Sequence, residues 1–120
     1  PRAAELMTEA LQDVVSEQGT AFKARVPGYR VAGKTGTTQK IDPATGSYYE
    51  GRTGKVTASF IGYLPADNPE FCALVMLDEP QGSHSFGGQV CAPVFSAMAA
   101  QIARRLDIIP TEPERSLAGR

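Results

Sequence analysis

Gly28-Tyr29-Arg30-Val31-Ala32-Gly33-Lys34-Thr35-Gly36-Thr37 can be read in two incompatible ways, and the choice between them sets the fold. Gly28, Gly33, Lys34 and Thr35 satisfy the G-x-x-x-x-G-K-[ST] spacing of a phosphate-binding loop, and an apolar run ending in Asp78 and Glu79 looks like the acidic companion of such a loop. That loop needs a buried strand before it and a helix N-terminus directly after the Lys. Residues 22–27 (Phe-Lys-Ala-Arg-Val-Pro) are too polar for a central parallel strand, and Gly36, Thr37, Thr38 and Pro43 cannot sustain a helix. Tyr29, Arg30, Val31 and Ala32 favour extended backbone. The stretch therefore reads as a strand over residues 29–37, with Lys34 and Gly36 on one face and Thr35 and Thr37 on the other.

Upstream, Ala3, Leu6, Met7, Ala10, Leu11, Val14 and Val15 recur at three- and four-residue steps, which predicts an amphipathic helix over residues 2–18 stopped by Gly19, its apolar stripe packed in the core. Downstream, Asp42-Pro43, Thr45-Gly46, Gly51 and Gly54 make residues 39–55 a long exposed hairpin connection, with Tyr48 and Tyr49 capping it. Residues 56–63 regain β character, Pro65 to Pro69 form a turn, and the apolar run 71–77 is a third strand. Three strands joined by reversals predict an antiparallel meander. After a polar loop, Val90, Val94, Phe95, Met98, Ala99, Ile102, Ala103 and Leu106 trace a second helical stripe, with Pro93 in its first turn. Residues 110–120 are rich in Pro, Glu, Arg and Ser and read as a disordered tail beyond a single unit, 1–109.

Composition narrows function. The 120 residues carry 12 Lys plus Arg against 13 Asp plus Glu, a net charge of −1 with no basic cluster, so nucleic acid is not the expected partner. The longest apolar run, seven residues from Phe71 to Leu77, falls far short of the roughly 20 a spanning helix needs. Cys72, Cys91 and the single His84 offer no metal-ligand spacing, and the carboxylates Asp42, Glu50 and Asp67 do not match a calcium loop, so neither a metal nor a cofactor is expected. Asp78 and Glu79 read as solvated residues ending a strand, and His84 has no visible acid or nucleophile partner.

On the strand reading, Gly36 has chemical sense: a position without a side chain lets a substrate lie against the backbone, while Thr hydroxyls and strand N–H groups bind a carboxylate or an oxyanion and Lys34 supplies positive charge. Lys34-Thr35-Gly36 on a strand resembles the third signature of the penicillin-binding proteins, the serine D,D-transpeptidases of peptidoglycan synthesis. The match extends in order and spacing through Gly19-Thr20-Ala21, Ala32 to Thr37, Ala58-Ser59-Phe60-Ile61-Gly62-Tyr63-Leu64-Pro65, and Gly87-Gly88-Gln89-Val90 leading to Ala92-Pro93-Val94-Phe95. It looks most like the class B, division or elongation type.

The resemblance implies an α+β, β-lactamase-like fold. The chain corresponds to the C-terminal portion of the transpeptidase domain, with three strands of a five-stranded antiparallel sheet packed by N- and C-terminal helices. It implies acyl transfer through a serine acyl-enzyme on stem peptides ending in D-Ala-D-Ala, acylation by β-lactam antibiotics, and action at the periplasmic face of the bacterial inner membrane. Carried over by motif, Lys34 and Thr37 are catalytic, Lys34 through its charge and Thr37 through an oxyanion-hole N–H. Thr35, Gly36, Thr37 and Thr38 bind substrate. No Ser here is followed three residues later by Lys, and no Ser-x-Asn occurs, so the nucleophile and the second signature are expected on a companion, the remainder of the domain. The chain alone is expected to be inactive. An inactive binding or assembly module, or a D,D-carboxypeptidase or β-lactamase-type hydrolase, are the alternatives.

Overall fold

The computed structural model describes residues 1–49, 55–82 and 86–112. In chain order these form α1 (Arg2–Val14), one 3₁₀ turn (Phe22–Ala24), β1 (Ala32–Gln39), β2 (Val56–Leu64), β3 (Phe71–Asp78), α2 (Gly87–Val90) and α3 (Ala92–Arg105). The strands make an antiparallel sheet in the order β1-β2-β3, the expected meander.

The register sorts side chains into two faces by parity. Lys34, Ile61 and Leu74 form one cross-strand row, Gly36, Ser59 and Met76 the next, and Thr38, Thr57 and Asp78 the third, all on one face. Rows Thr35–Phe60–Val75 and Thr37–Ala58–Leu77 lie on the opposite face. That second face carries the main core. Phe60 and Phe95 of α3, both fully buried, meet edge to face with ring centroids 4.9 Å apart. A Cβ at Gly62 would stand 2.8 Å from both rings, so glycine there lets α3 sit close to the sheet. Ala92, Ala99 and Ala103, all fully buried, continue that approach along the helix.

On the Lys34 face, α1 covers only the Ala32–Tyr63 end, where Thr8 Oγ1 and the Tyr63 hydroxyl share a hydrogen bond of 2.7 Å. The predicted burial of the α1 stripe is only partly what the structure shows. At its C-terminal end the stripe does reach the core, with Val15 buried and Val14 packed against it, but no residue within α1 is buried and Leu6 and Met7 are about half exposed. Ile61, Leu74 and Met76 are likewise exposed on this face.

Boundaries differ from the periodicity for local reasons. The helix α1 stops at Val14 because Val15 and Ser16 switch to bonds three residues back, on Gln12 and Asp13, and Val15 turns into the core. Gly19 then passes so close that a Cβ would lie 2.1 Å from the Val14 carbonyl oxygen. Strand β1 begins at Ala32 because Val26 to Tyr29 is a turn with Gly28 at φ +91°. Pro110 to Glu112, which composition assigns to the tail, are held against that turn: the N–H groups of Thr111 and Glu112 both donate to the Gly28 carbonyl at 3.0 Å, and Arg30 pairs with Glu112. The rest of the expected tail, residues 113–120, lies outside the described residues. Cys72 and Cys91 are both free, Cys72 exposed and Cys91 buried, and burial pushes the Cys91 thiol up. No helix among the described residues is long and apolar enough to cross a membrane.

Candidate active site

Antiparallel ladders alternate between pairs that exchange hydrogen bonds and pairs that do not. Lys40 N donates to Lys55 O at 3.0 Å in continuation of the β1–β2 register, so pair 40/55 is hydrogen-bonded, and with it 38/57, 36/59 and 34/61. The backbone groups of Lys34, Gly36 and Thr38 are therefore taken up by β2. Those of Thr35, Thr37 and Gln39 point outward, along an edge that no other described strand covers. Two N–H donors, on Thr35 and Thr37, project from it about 7 Å apart.

Side chains flank this edge on both sides. Lys34 is exposed on one face, and its Nζ donates to the Thr35 carbonyl at 2.9 Å. Thr35 and Thr37 are half-buried on the other face. Thr37 Oγ1 accepts the Gly87 N–H at 3.3 Å, and Thr35 Oγ1 lies 3.4 Å from Thr20 Oγ1. Gly36 shares the Lys34 face, where a Cβ would meet only Ser59 Oγ, at 2.6 Å. Thr38 is exposed on the same face, one row further along beside Thr57. Lys34, Thr35, Gly36, Thr37 and Thr38 are thus gathered along one free edge, but the ammonium and the Thr35 and Thr37 hydroxyls lie on opposite sides of it.

The residues that hold this strand from behind carry no assigned role in the sequence reading. A Cβ at Gly87 would lie 2.2 Å from the Ser59 carbonyl oxygen and 2.8 Å from that of Gly36, and one at Gly88 would lie 2.0 Å from the Thr20 carbonyl oxygen. The start of α2 is wedged against the backbone of both β1 and β2, which only glycine permits. Two consecutive glycines opening a helix, where their propensity is poor, are the sequence signal for such a close approach.

At the far end of β1, Asp78 is exposed and Glu79 half-buried, and neither is simply solvated. Lys40 Nζ stands 2.7 Å from Asp78 Oδ1 and 3.4 Å from Glu79 Oε1, Lys55 Nζ lies 3.5 Å from Glu79, and Thr57 Oγ1 donates to Asp78 at 3.1 Å. The hydrogen bond from Lys40, followed by that from Thr57, holds the Asp78 carboxyl below its ordinary range, and Asp78 in turn raises Lys40. Among the described residues no group of three or more His, Cys, Asp or Glu side chains is placed to hold a metal ion. His84 and Glu50 lie outside the described residues. A cleft of about 940 Å³ between the end of α1 and the turn before β1, lined by Val15, Phe22, Arg25 and Tyr29 among others, includes none of Lys34 to Thr38.

The phosphate-loop alternative fails on this geometry, since residues 33–36 are central in a strand and no helix follows Lys34. Residues 1–100 match the family model described as the penicillin binding protein transpeptidase domain. The chain belongs to that family. As a penicillin-binding transpeptidase segment it is 37% identical over 100 residues to the peptidoglycan D,D-transpeptidase FtsI of Escherichia coli K12, covering 83% of this chain and 16% of that protein. It is 43% identical over 101 residues to the stage V sporulation protein D of Bacillus subtilis, covering 84% and 15%. Among solved structures, the transpeptidase domain of Burkholderia pseudomallei penicillin-binding protein 3 superposes with a TM-score of 0.74 at 43% identity, covering 88% of this chain and 30% of that one. Penicillin-binding protein 3 of Mycobacterium tuberculosis, complexed with aztreonam, gives 0.71 at 37% identity, covering 87% and 24%. The α+β fold expected from the resemblance is the fold of these domains. The chain spans about a sixth of the length of these two curated relatives.

Proposed function

We propose that this chain supplies the substrate-binding edge of a peptidoglycan D,D-transpeptidase whose nucleophile lies in another segment. The observation that carries the proposal is the free edge of β1, with outward Thr35 and Thr37 N–H groups set between the Lys34 ammonium and two Thr hydroxyls. An extended stem peptide laid along this edge completes the ladder. Gly36 gives it clearance, Thr35 and Thr37 hydroxyls receive its terminal carboxylate, and Thr38 contacts the acyl donor further along.

In the reaction, a serine Oγ on the companion segment attacks the D-Ala-D-Ala carbonyl. The Thr37 N–H is one of two donors that stabilise the resulting oxyanion, a contribution of roughly 3 kcal/mol for one such donor. The C–N bond then breaks, the serine proton passes to the departing D-Ala amine, and an ester remains. An amine of a neighbouring stem peptide attacks that ester, forms the cross-link and returns the proton to the serine. Lys34 contributes positive charge beside the site and a hydrogen bond toward the second signature. β-Lactams acylate the same serine, a reading supported by the aztreonam and ampicillin complexes of the M. tuberculosis neighbour.

The companion carries Ser-x-x-Lys and Ser-x-Asn and packs on the Lys34 face, where Ile61, Leu74 and Met76 stand exposed. This activity belongs to the extracytoplasmic side of the bacterial inner membrane, and the 120 residues alone are inactive. Labelling with a fluorescent penicillin, read on a denaturing gel with intact mass of each band, tests the proposal. Label is expected on a polypeptide containing both this sequence and a Ser-x-x-Lys segment, reduced by Lys34→Ala and absent from the 120 residues alone. A complete, folded domain that takes no label would overturn it.

A further inference from the structure

The end of β1 poses a mechanical problem. It is an edge strand, paired on one side only, and past Gln39 its backbone is held by the Lys40–Lys55 hydrogen bond at 3.0 Å and by the Tyr49 N–H on the Lys40 carbonyl at 3.3 Å. Those bonds reach only β2; what joins this end to β3 is a four-charge cluster spanning the sheet: Lys40 reaches past β2 to Asp78 at the end of β3, and Glu79 bridges Lys40 and Lys55, which flank the hairpin. Successive strand residues point to opposite faces, so Asp78 and Glu79 could not both reach one lysine in regular β backbone. Glu79 escapes that alternation by taking φ +49°, uncommon for any residue but glycine, while its N–H still donates to Val56 O at 2.9 Å. Thr57, paired with Thr38 in the register, donates to Asp78 from the strand between them. The first and third strands are thus joined across the second, two residues beyond Thr38.

We infer that Lys40, Lys55, Asp78 and Glu79 form a positioning clamp that fixes the Thr38–Lys40 end of β1, and through it the place of an acyl donor along the β1 edge. This rests on the reading of that edge as the donor site. The clamp touches no reacting atom. Its effect falls on donor binding, and the acylation step is left to Lys34 and Thr37.

The test uses the complete transpeptidase domain with a chromogenic cephalosporin, separating the binding constant K from the acylation rate constant k2 at low salt and at 1 M salt. In Asp78→Asn/Glu79→Gln, K is expected to rise about two- to fivefold with k2 kept within twofold, the range for a small network of exposed ion pairs. Salt screens such pairs, so K should depend on salt more steeply in the wild type than in this variant. The full swap Lys40→Glu/Lys55→Glu/Asp78→Lys/Glu79→Lys, which restores every pair with its sign reversed, should recover most of the loss. Equal K and equal salt dependence in wild type and variant overturn the clamp, as does a swap with wild-type melting temperature that recovers nothing. If the double variant does not fold, the swap alone decides. Wild-type domain that is not acylated at all overturns instead the assignment of the edge, a separate result.

Discussion

Replacing Gly87 with alanine puts a methyl carbon 2.2 Å from the Ser59 carbonyl oxygen and 2.8 Å from that of Gly36. Both obstacles are backbone, so no rotamer change relieves them, and restoring ordinary contact requires a relative shift of about 1 Å between α2 and the strands. Overpacking of this kind typically costs about 1–3 kcal/mol. Against a domain stability of roughly 5–15 kcal/mol, that leaves nearly all molecules folded. The same displacement at Gly36 and Thr37, where the oxyanion donor sits, is expected to cost about 100-fold in rate. The two magnitudes separate mechanism from stability, because the loss of folded protein is negligible beside the loss of acylation. The assay is β-lactam acylation of the complete domain well below its melting temperature, with Gln89→Ala, exposed on the same helix, as the control. Acylation by Gly87→Ala at the wild-type rate would refute the claim that this contact sets the strand. A rate loss no larger than the fall in folded fraction would refute it equally.

Gly36→Ala should behave differently. Its Cβ meets only the Ser59 hydroxyl, a side-chain atom that can rotate away, so stability should change by less than about 1 kcal/mol while acylation falls. Recovery of acylation in Gly36→Ala/Ser59→Ala would show that internal packing, and not clearance for substrate, was responsible. Phe60→Ala removes a fully buried ring packed edge to face with Phe95 and is expected to destabilise the domain by about 3–5 kcal/mol in urea denaturation, with a loss under 1 kcal/mol contradicting the placement of the core. The stability contributed by Asp78 should be present above its unfolded pKa near 3.8 and fade as pH falls through its lowered folded value; that of Lys40 should be present below 10.5 and fade as pH rises through its raised one. Comparing wild type with Asp78→Asn should therefore give a stability difference at pH 6 that shrinks toward pH 2, and a difference independent of pH across that range would contradict the ion pair.

Much of this arrangement was legible before any coordinates. The β character of residues 56–63 and the apolar run 71–77 marked two strands to within a residue of β2 and β3, since both are bounded by turn formers whose chemistry is local. That Lys34 to Thr37 lie on a strand was legible because failed context ruled out a phosphate loop, whereas their place on a free sheet edge comes from the pairing order of the strands. Three things were not. The exposure of Leu6 and Met7 escaped because an amphipathic stripe says that a helix wants a partner, without saying whether these residues provide one. The Lys40–Asp78 contact joins residues 38 apart through a register that no single-strand pattern encodes. Gly87 and Gly88 were noticed as letters of a motif, but their purpose depends on backbone approaching from Thr20, Gly36 and Ser59, which only the folded chain brings together.

The parity of the sheet also shapes how this segment can change over time. On β2 the even-numbered positions 58, 60, 62 and 64 are buried, whereas the odd-numbered 57, 59, 61 and 63 are not, and on β1 the even-numbered 34, 36 and 38 share the face of those odd ones. On β2 the residues that serve folding and those that border Lys34 therefore interleave, adjacent in sequence yet on opposite sides of one sheet, whereas on β1 Thr35 and Thr37 share the core face with Phe60 and Ala58 and answer to both demands. Change at Ser59 or Ile61 can re-tune the surface beside Lys34, in step with the companion that packs there, without disturbing Phe60 between them. A lineage can explore new specificities one strand position at a time while its fold stays fixed.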